Sequence, residues 1–364
     1  MTLSGPAARL RSRVRSAVAD AADSADFRAR VLQAVGEVVP FDSACLATTD
    51  PASLIPTALT TKGYDQPDAV LRAAECEYGP DPPANSFCSV AQLATPVRVS
   101  REAGDGSWRD SRHYAELLAP FGLRDEVRMV FRARDGRAWG VATMSRGPGR
   151  PFDDSSVRVL AGSLREIGEG MRSTLLRASS ARAPLRCPDA EDAAPAPAVV
   201  ILGTDDALED ATPLAIHRLE QVGWGGAAPA VLAAMRFRHA GVETLRVRTR
   251  GGRWLVLRVG PLGDGRLAVT IEHAQPPEVV SLVAAALALS AREADVLAEV
   301  LAGRPRDAIA ADLHISPYTV QDHLKSIFSK TGTSSRQALV AQLVLDQYVP
   351  RMGSPVGPRG WFVD

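Results

Sequence analysis

Between Leu289 and Leu345 the chain reads LSAREADVLAEVLAGRPRDAIAADLHISPYTVQDHLKSIFSKTGTSSRQALVAQLVL, and the helix start and stop signals in it leave few folds open. Ser290 and Glu293 have the spacing of a capping box, in which hydroxyl and carboxylate each satisfy an orphan amide of the first turn. That helix is expected to run to Ala302 and stop at Gly303. A second is predicted over Asp307 to Leu313, with a tight break at His314 and Ile315. Ser316 then supplies an N-cap and Pro317 takes the first helical position, where its missing N–H costs nothing. The third helix runs to Lys330 and ends at Gly332, and a fourth begins near Ser335.

A helix, a short turn and a second helix make a helix-turn-helix, whose second helix enters the major groove of DNA. At the helical period, Val320, Leu324, Ile327 and Phe328 share the face that packs inward. Tyr318, Gln321, Asp322, Lys325 and Ser329 share the opposite face, a polar surface suited to base edges, while Thr319, His323 and Lys330 lie on a flank suited to phosphates. The segment resembles the C-terminal DNA-binding domain of LuxR-type regulators, through Leu289, Ser290, Arg292 and Glu293, Val296 and Leu297, Gly303, Ile309, Ala310, Leu313, Ile315 and Ser316, and Thr319, Val320, His323, Leu324, Ile327, Lys330, Gly332 and Arg336. The resemblance implies base contact by Gln321, Asp322 and Lys325, and dimerisation through the last helix by Ala338, Leu339, Leu343 and Val344. In the family the position of Gln321 is often lysine. Thr319, Lys330 and Arg336 are expected to fix register on the backbone, and His323 to donate to a phosphate.

Charge qualifies that reading. From Leu287 to Gln347 there are six basic residues against seven acidic ones, leaving one net negative charge. Phosphate neutralisation usually dominates affinity for DNA, so tight binding is expected only from a dimer on paired half-sites. The alternative is a sensor or adaptor whose helical C-terminus binds protein.

Upstream, the chain divides into further modules, as its 364 residues require. Residues 1–23 are expected to form a helix with Leu10, Val14 and Val18 on one face, able to pair with its copy in a dimer. Residues 24–177 carry a helix from Asp26 to Val39, a strand over Ala44 to Thr48, a proline-broken acidic stretch over Glu75 to Asn85, and a helix over Ser111 to Phe121. A hairpin follows, Glu126 to Arg134 and Arg137 to Arg146 about Asp135-Gly136, then helical spacing from Phe152 to Leu176. This order, with VVPFDSACLAT, GRAWGVATMSR and FDDSSVRVLAGSL, resembles a GAF domain, which implies a small-molecule or protein-interaction sensor. Residues 178–197 read as a linker. Residues 198–275 offer a strand at Val199 to Leu202 and three more at Thr244 to Arg250, Arg253 to Gly260 and Arg266 to Glu272, resembling the second half of a PAS-like module. A connector helix over 276–288 is expected to feed straight into the capping box, with the helix-turn-helix over 289–348 and a tail over 349–364. The fold class is thus α+β and multidomain: a GAF-like α/β sensor, a small PAS-like antiparallel sheet, and an all-α four-helix C-terminus.

The rest of the sequence argues against other classes. The six histidines are scattered, no metal-ligand spacing, phosphate-binding glycine loop or nucleophile elbow occurs, and neither an enzyme, a metal site nor a cofactor is expected. Four cysteines without a disulfide pattern, and no apolar run of the roughly 20 residues needed to span a bilayer, suit a cytoplasmic protein. Cys45 reads as core, while Cys76 and Cys88 flank the acidic stretch as a redox pair or as two separate thiols. The expected partners are double-stranded DNA, a second copy of the chain, a small effector in the GAF-like domain and RNA polymerase.

Overall fold

The computed structural model describes residues 5–63, 72–73, 76–78, 82–103, 107–177, 197–205, 207–224, 228, 231–232, 244–250, 253–274 and 276–340. The expected linker up to residue 196, Leu343, Val344 and the tail lie outside the described residues. Among the described residues no helix is long and apolar enough to cross a membrane.

The first module opens with helices α1 (Pro6–Asp20) and α2 (Ser24–Val38). Its sheet comprises β1 (Ser43–Thr49), β2 (Pro56–Lys62), β3 (Val97–Val99), β4 (Asp125–Arg132) and β5 (Ala138–Arg146), antiparallel in the order β2-β1-β5-β4-β3. Helices α3 (Asp154–Ala161) and α4 (Leu164–Thr174) close it. Strand alternation sends Ala44 and Leu46 of β1, with Val127, Met129 and Phe131 of β4, into a core with Phe27, Val31 and Ile167. Ala47, Val130 and Val141 face the opposite side, beneath the single turn Phe87–Val90. Cys45, expected in the core, is only half-buried on β1.

Several expectations change here. Leu10 and Val14 of α1 are fully buried in this same core, so the face expected to meet a second copy is spent within the chain. The predicted helix over Ser111–Phe121 is a π-helical turn, Tyr114–Leu118, followed by a 3-10 turn, Ala119–Phe121, because Pro120 has no N–H for a regular ladder. Gly122, at φ 69°, ends it in the left-handed region. The helical stretch from Phe152 to Leu176 breaks at Gly162 and Ser163 into α3 and α4.

The second module holds β6 (Val199–Leu202), β7 (Leu208–Ala211), helix α5 (Pro213–Val222), β8 (Thr244–Arg248), β9 (Trp254–Pro261) and β10 (Leu267–His273). Its antiparallel order, β7-β6-β10-β9-β8, repeats that of the first sheet strand for strand. Among the described residues it has one more strand than the sequence suggested: β7 carries no apolar pattern because it is an edge strand with Leu208 to Asp210 exposed.

The two modules are fastened edge to edge. Asp50, buried in the turn after β1, receives Arg246 of β8 through Nη2 at 2.8 Å and Nε at 3.0 Å. Trp224 Nε1 donates to the Thr57 carbonyl of β2 at 2.8 Å, and Ile55 is buried in the second module's core. Helix α6 (Pro276–Ala286) then places Val279, Leu282 and Val283 in the first module's core beside Trp254 and Val256 of β9.

Helix α6 does not feed straight into the C-terminal segment. Leu289 N donates to Ala284 O at 2.9 Å and Ala288 N to Ala285 O at 3.0 Å, the two bonds of a Schellman stop, with Ala288 at φ 56°. The chain turns a corner at a residue that pays a steric penalty for it.

Close packing of α4 depends on Gly168, where an added Cβ would lie 2.6 Å from the Arg132 carbonyl oxygen. Gly168→Ala is expected to destabilise the chain by about 1–3 kcal/mol through overpacking, although alanine is the better helix former. An unchanged or raised denaturation midpoint would contradict the packing account.

Candidate nucleic-acid interface

Among the described residues three helices build the C-terminal unit, α7 (Ala291–Leu301), α8 (Arg306–Asp312) and α9 (Pro317–Thr331), with a further helical turn over residues 336–340. Ser290 and Glu293 form the predicted capping box at the start of α7. The turn of the helix-turn-helix is a second Schellman stop, with His314 N bonded to Ala311 O at 3.2 Å and Ile315 N to Ala310 O at 2.9 Å. His314 stands at φ 55°, which lets α9 leave at an angle within a few residues. Ser316 caps α9 by accepting from Thr319 N at 3.0 Å.

The faces of α9 separate as the periodicity predicts. Val320, Leu324 and Ile327 are buried with Val296, Leu297, Val300 and Ile309, and Phe328 is half-buried beside them. On the other side Tyr318 is 85% exposed, and the side chains of Asp322 and Lys325 are 77% and 68% exposed. Gln321 is half-buried beside them, and Ser329 is exposed. Thr319 is exposed and His323 half-buried on the flank.

Two expected phosphate contacts have internal partners as well. Lys330 Nζ donates to Glu293 Oε2 at 2.6 Å, and Arg336 Nη2 donates to the Val300 carbonyl at 3.4 Å and to that of Arg304, tying the last turn of α7 to the following helix. Glu293 has a second role, beyond the capping box, that no local pattern reveals. Its carboxylate also accepts from Ser290 N at 2.6 Å and from Ser326 Oγ at 2.5 Å, so a capping residue of α7 becomes the anchor of α9. Burial alone would raise its pKa; the hydrogen bonds from Lys330, Ser326 and Ser290 outweigh that and hold the carboxyl at about 2.

The remaining basic residues are also matched with acids: Arg292 with Asp295 at 3.6 Å, Arg304 with Glu299 at 3.8 Å and Asp312 at 3.9 Å, Arg306 with Asp307 at 3.2 Å, and Lys325 with Asp322 at 3.3 Å. Most of these pairs are exposed and worth little each, so phosphates can take over the cations at small cost.

The family model of bacterial regulatory proteins, luxR family, matches residues 287–343. Residues 287–340 of that match, the described part, form a LuxR-type helix-turn-helix domain. A relative described as probable transcriptional regulatory protein NarL, from two strains of Mycobacterium tuberculosis, is 44% identical over 54 residues, covering 15% of this chain and 25% of the relative. The chain thus spans about a quarter of the length of the curated relatives it matches. Among solved structures, Escherichia coli SdiA aligns over 93% of this chain and 96% of its own at 13% identity and a TM-score of 0.31. The Vibrio cholerae VqmA dimer in the absence of target DNA aligns over 42% of this chain and 82% of its own, at 17% identity and a TM-score of 0.17. At those values neither likeness bears on the fold of this chain.

Within the LuxR-type domain, Leu339 is fully buried in the domain's own core, which corrects its expected place at a dimer contact. Ala338 is half-buried beside it.

A second cluster of charge lies under the loops that cover the first sheet. Arg128 pairs with Glu77 at 2.6 Å and Glu126 at 3.0 Å, and Glu126 also receives His113 Nε2 at 3.1 Å and Ser100 Oγ at 3.0 Å, all of them buried. Burial pushes both carboxyls up; at Glu126 the charges of His113 and Arg128 prevail and hold it at about 2, whereas at Glu77 burial prevails. The acids, the guanidinium and the hydroxyl satisfy one another, as a structural polar core does. Among the described residues no group of histidine, cysteine and acidic side chains is arranged to hold a metal.

The Glu293 anchor gives a pH test. Its folded pKa of about 2 lies below the ordinary 4.5, so its contribution is present above about pH 4.5 and is lost as pH falls toward 2. Glu293→Gln is expected to lower the stability of the LuxR-type domain at neutral pH by roughly 2 kcal/mol and to flatten its decline over that window. Hydrogen exchange of α7 and α9 amides in the full chain measures it; equal pH profiles for parent and variant would contradict the anchor.

Proposed function

We propose that this chain is a sequence-specific DNA-binding transcriptional regulator acting as a homodimer. The observation that carries the reading is the free face of α9: Tyr318, Asp322 and Lys325 stand in solvent with no other module over them among the described residues, while the apolar face is locked into the domain. Gln321 pairs with adenine or Lys325 with guanine, each good pairing contributing roughly 1–3 kcal/mol of discrimination. Asp322 accepts from a cytosine amine. Thr319, His323, Lys330 and Arg336 sit along the backbone and set register. Lys330 does so only by sharing its ammonium with Glu293. Near-neutral charge makes one copy a weak binder, so paired half-sites and two copies are needed. The last helix, through Ala338, Leu343 and Val344, supplies contact between copies.

The first module is a GAF-like sensor and the second a PAS-like one. The repetition of one strand order in both sheets supports a common sensory architecture. An effector in the GAF-like module acts through α6, whose residues belong to the first module's core while Ala284 and Leu289 belong to that of the LuxR-type domain. Contact with RNA polymerase in the cytoplasm completes the reading.

Selection of duplexes from a random pool by the full chain is expected to enrich two half-sites. Gln321→Ala should lose preference at one base pair in each half-site, roughly 5- to 150-fold, as 1–3 kcal/mol implies. A pool without enrichment would leave a protein-binding adaptor as the function of the helical C-terminus, and an unchanged profile for the variant would move base reading off Gln321.

A further inference from the structure

Where the two sheets meet edge to edge, a cleft of about 580 Å³ opens against α6. It lies within the size range of small-molecule sites. Its walls come from three parts of the chain: Arg28 of α2 with the β1–β2 hairpin, Trp224 with β8 and Trp254 of the second module, and Leu282 of α6. The surface combines apolar side chains with an excess of cations, five arginines against two aspartates, Asp23 and Asp50.

Arg28 is the anomaly. It is 4% exposed, yet its hydrogen bonds run to neutral hydroxyls, Nε to Thr60 Oγ1 at 3.1 Å and Nη1 to Ser24 Oγ at 3.1 Å. Buried charges are ordinarily paired, as Arg128 is with two glutamates and Arg246 with Asp50. Among the described residues no carboxylate forms an ion pair with Arg28. The largest acidic influence on it is Asp23, whose Oδ1 already accepts the Ala25 and Asp26 amides that start α2. Burial pushes the Arg28 guanidinium down to about 10, so it remains charged at neutral pH.

A second group lining the same cleft points the same way. Trp254 is 5% exposed, and its buried indole N–H has no acceptor among the described residues. A cation without an anion and a donor without an acceptor, set among apolar side chains, match one ligand chemistry: an oxyanion on an apolar body.

The geometry points to this cleft as a binding site for a small amphipathic oxyanion, a carboxylate- or phosphate-bearing molecule whose head meets Arg28 and whose body lies against Trp224, Trp254 and Leu282. The site is separate from the GAF-like interior and is shared by both sensory modules. Its occupant touches the helix that leads to the LuxR-type domain, since Leu282 lines the cleft and Arg246, while bound to Asp50, also donates to Ser281 Oγ at 3.2 Å. Control of DNA binding from here rests on the regulator reading above; occupancy does not, and is measured without DNA.

Calorimetric titration of the full chain with octanoate, octyl phosphate and 1-octanol tests it. At least one of the two anions is expected to bind ten-fold or more tightly than the alcohol, the tighter one naming the head group. Arg28→Met should lose ten-fold or more in affinity for that anion while melting, without ligand, at or above the parent's temperature, because an unpaired buried charge has been removed. Trp254→Phe, which leaves every charge in place, should weaken the anion about three-fold and keeps the test decisive if the arginine variant fails to fold. Absence of binding by both anions, affinity equal to that for octanol, or binding unaltered by either substitution would overturn the proposal.

Discussion

One carboxylate sets the geometry of the DNA-facing end of this protein. Glu293 belongs by sequence to the start of α7, yet it grips Ser326 and Lys330 on α9 as well as the amide that begins its own helix. Apolar contacts from Val320, Leu324 and Ile327 decide which side of α9 is hidden. They are non-directional, and sliding along the helix axis would cost them little. The carboxylate supplies the direction that hydrophobic packing lacks: its oxygens have fixed positions, and three donors from two helices must converge on them. With α9 held in azimuth and height, Tyr318, Asp322 and Lys325 present a defined surface.

The same division between packing and polar fixation recurs between modules. Two sheets of identical strand order stand edge to edge, joined by the buried pair of Asp50 and Arg246 and by the Trp224 indole on the Thr57 carbonyl. Helix α6 fills the angle between them, and its end is fixed in turn, since Arg172 of α4 donates to the Ala286 carbonyl at 2.5 Å. Movement of either module therefore has a route to the corner at Ala288, where the chain bends in a conformation that alanine adopts unwillingly. The corner at Ala288 thus separates the LuxR-type domain from the two sheet modules, where one continuous helix would have joined them rigidly.

What local sequence determines was legible. Helix ends in the C-terminal domain fall within a residue or so of the positions read from Ser290, Gly303, Ser316 and Gly332, because capping is a contest among near neighbours. The hairpin at Asp135-Gly136 was equally clear, with Gly136 at φ 78°. Strands β2, β3 and β7 were not. The first is threonine-rich and half-exposed, the second is three residues long and the third is exposed along most of its length, so none carries a clean apolar alternation. Of the expected site residues, the exposed ones were placed by periodicity alone. The second partners of Lys330 and Arg336, the burial of Leu339 and the isolation of Arg28 arise from contacts between distant segments, which no spacing rule encodes.

By the function proposed above, the exposed face of α9 meets DNA. Fluorescence anisotropy of a selected duplex, titrated with the full chain across a range of salt concentrations, tests it most directly when the parent is set beside Lys325→Glu. Binding that tightens as salt is lowered, with the variant weaker at every salt concentration, is the predicted result. A chain that ignores duplex DNA at all ionic strengths, or a variant indistinguishable from the parent, would contradict it.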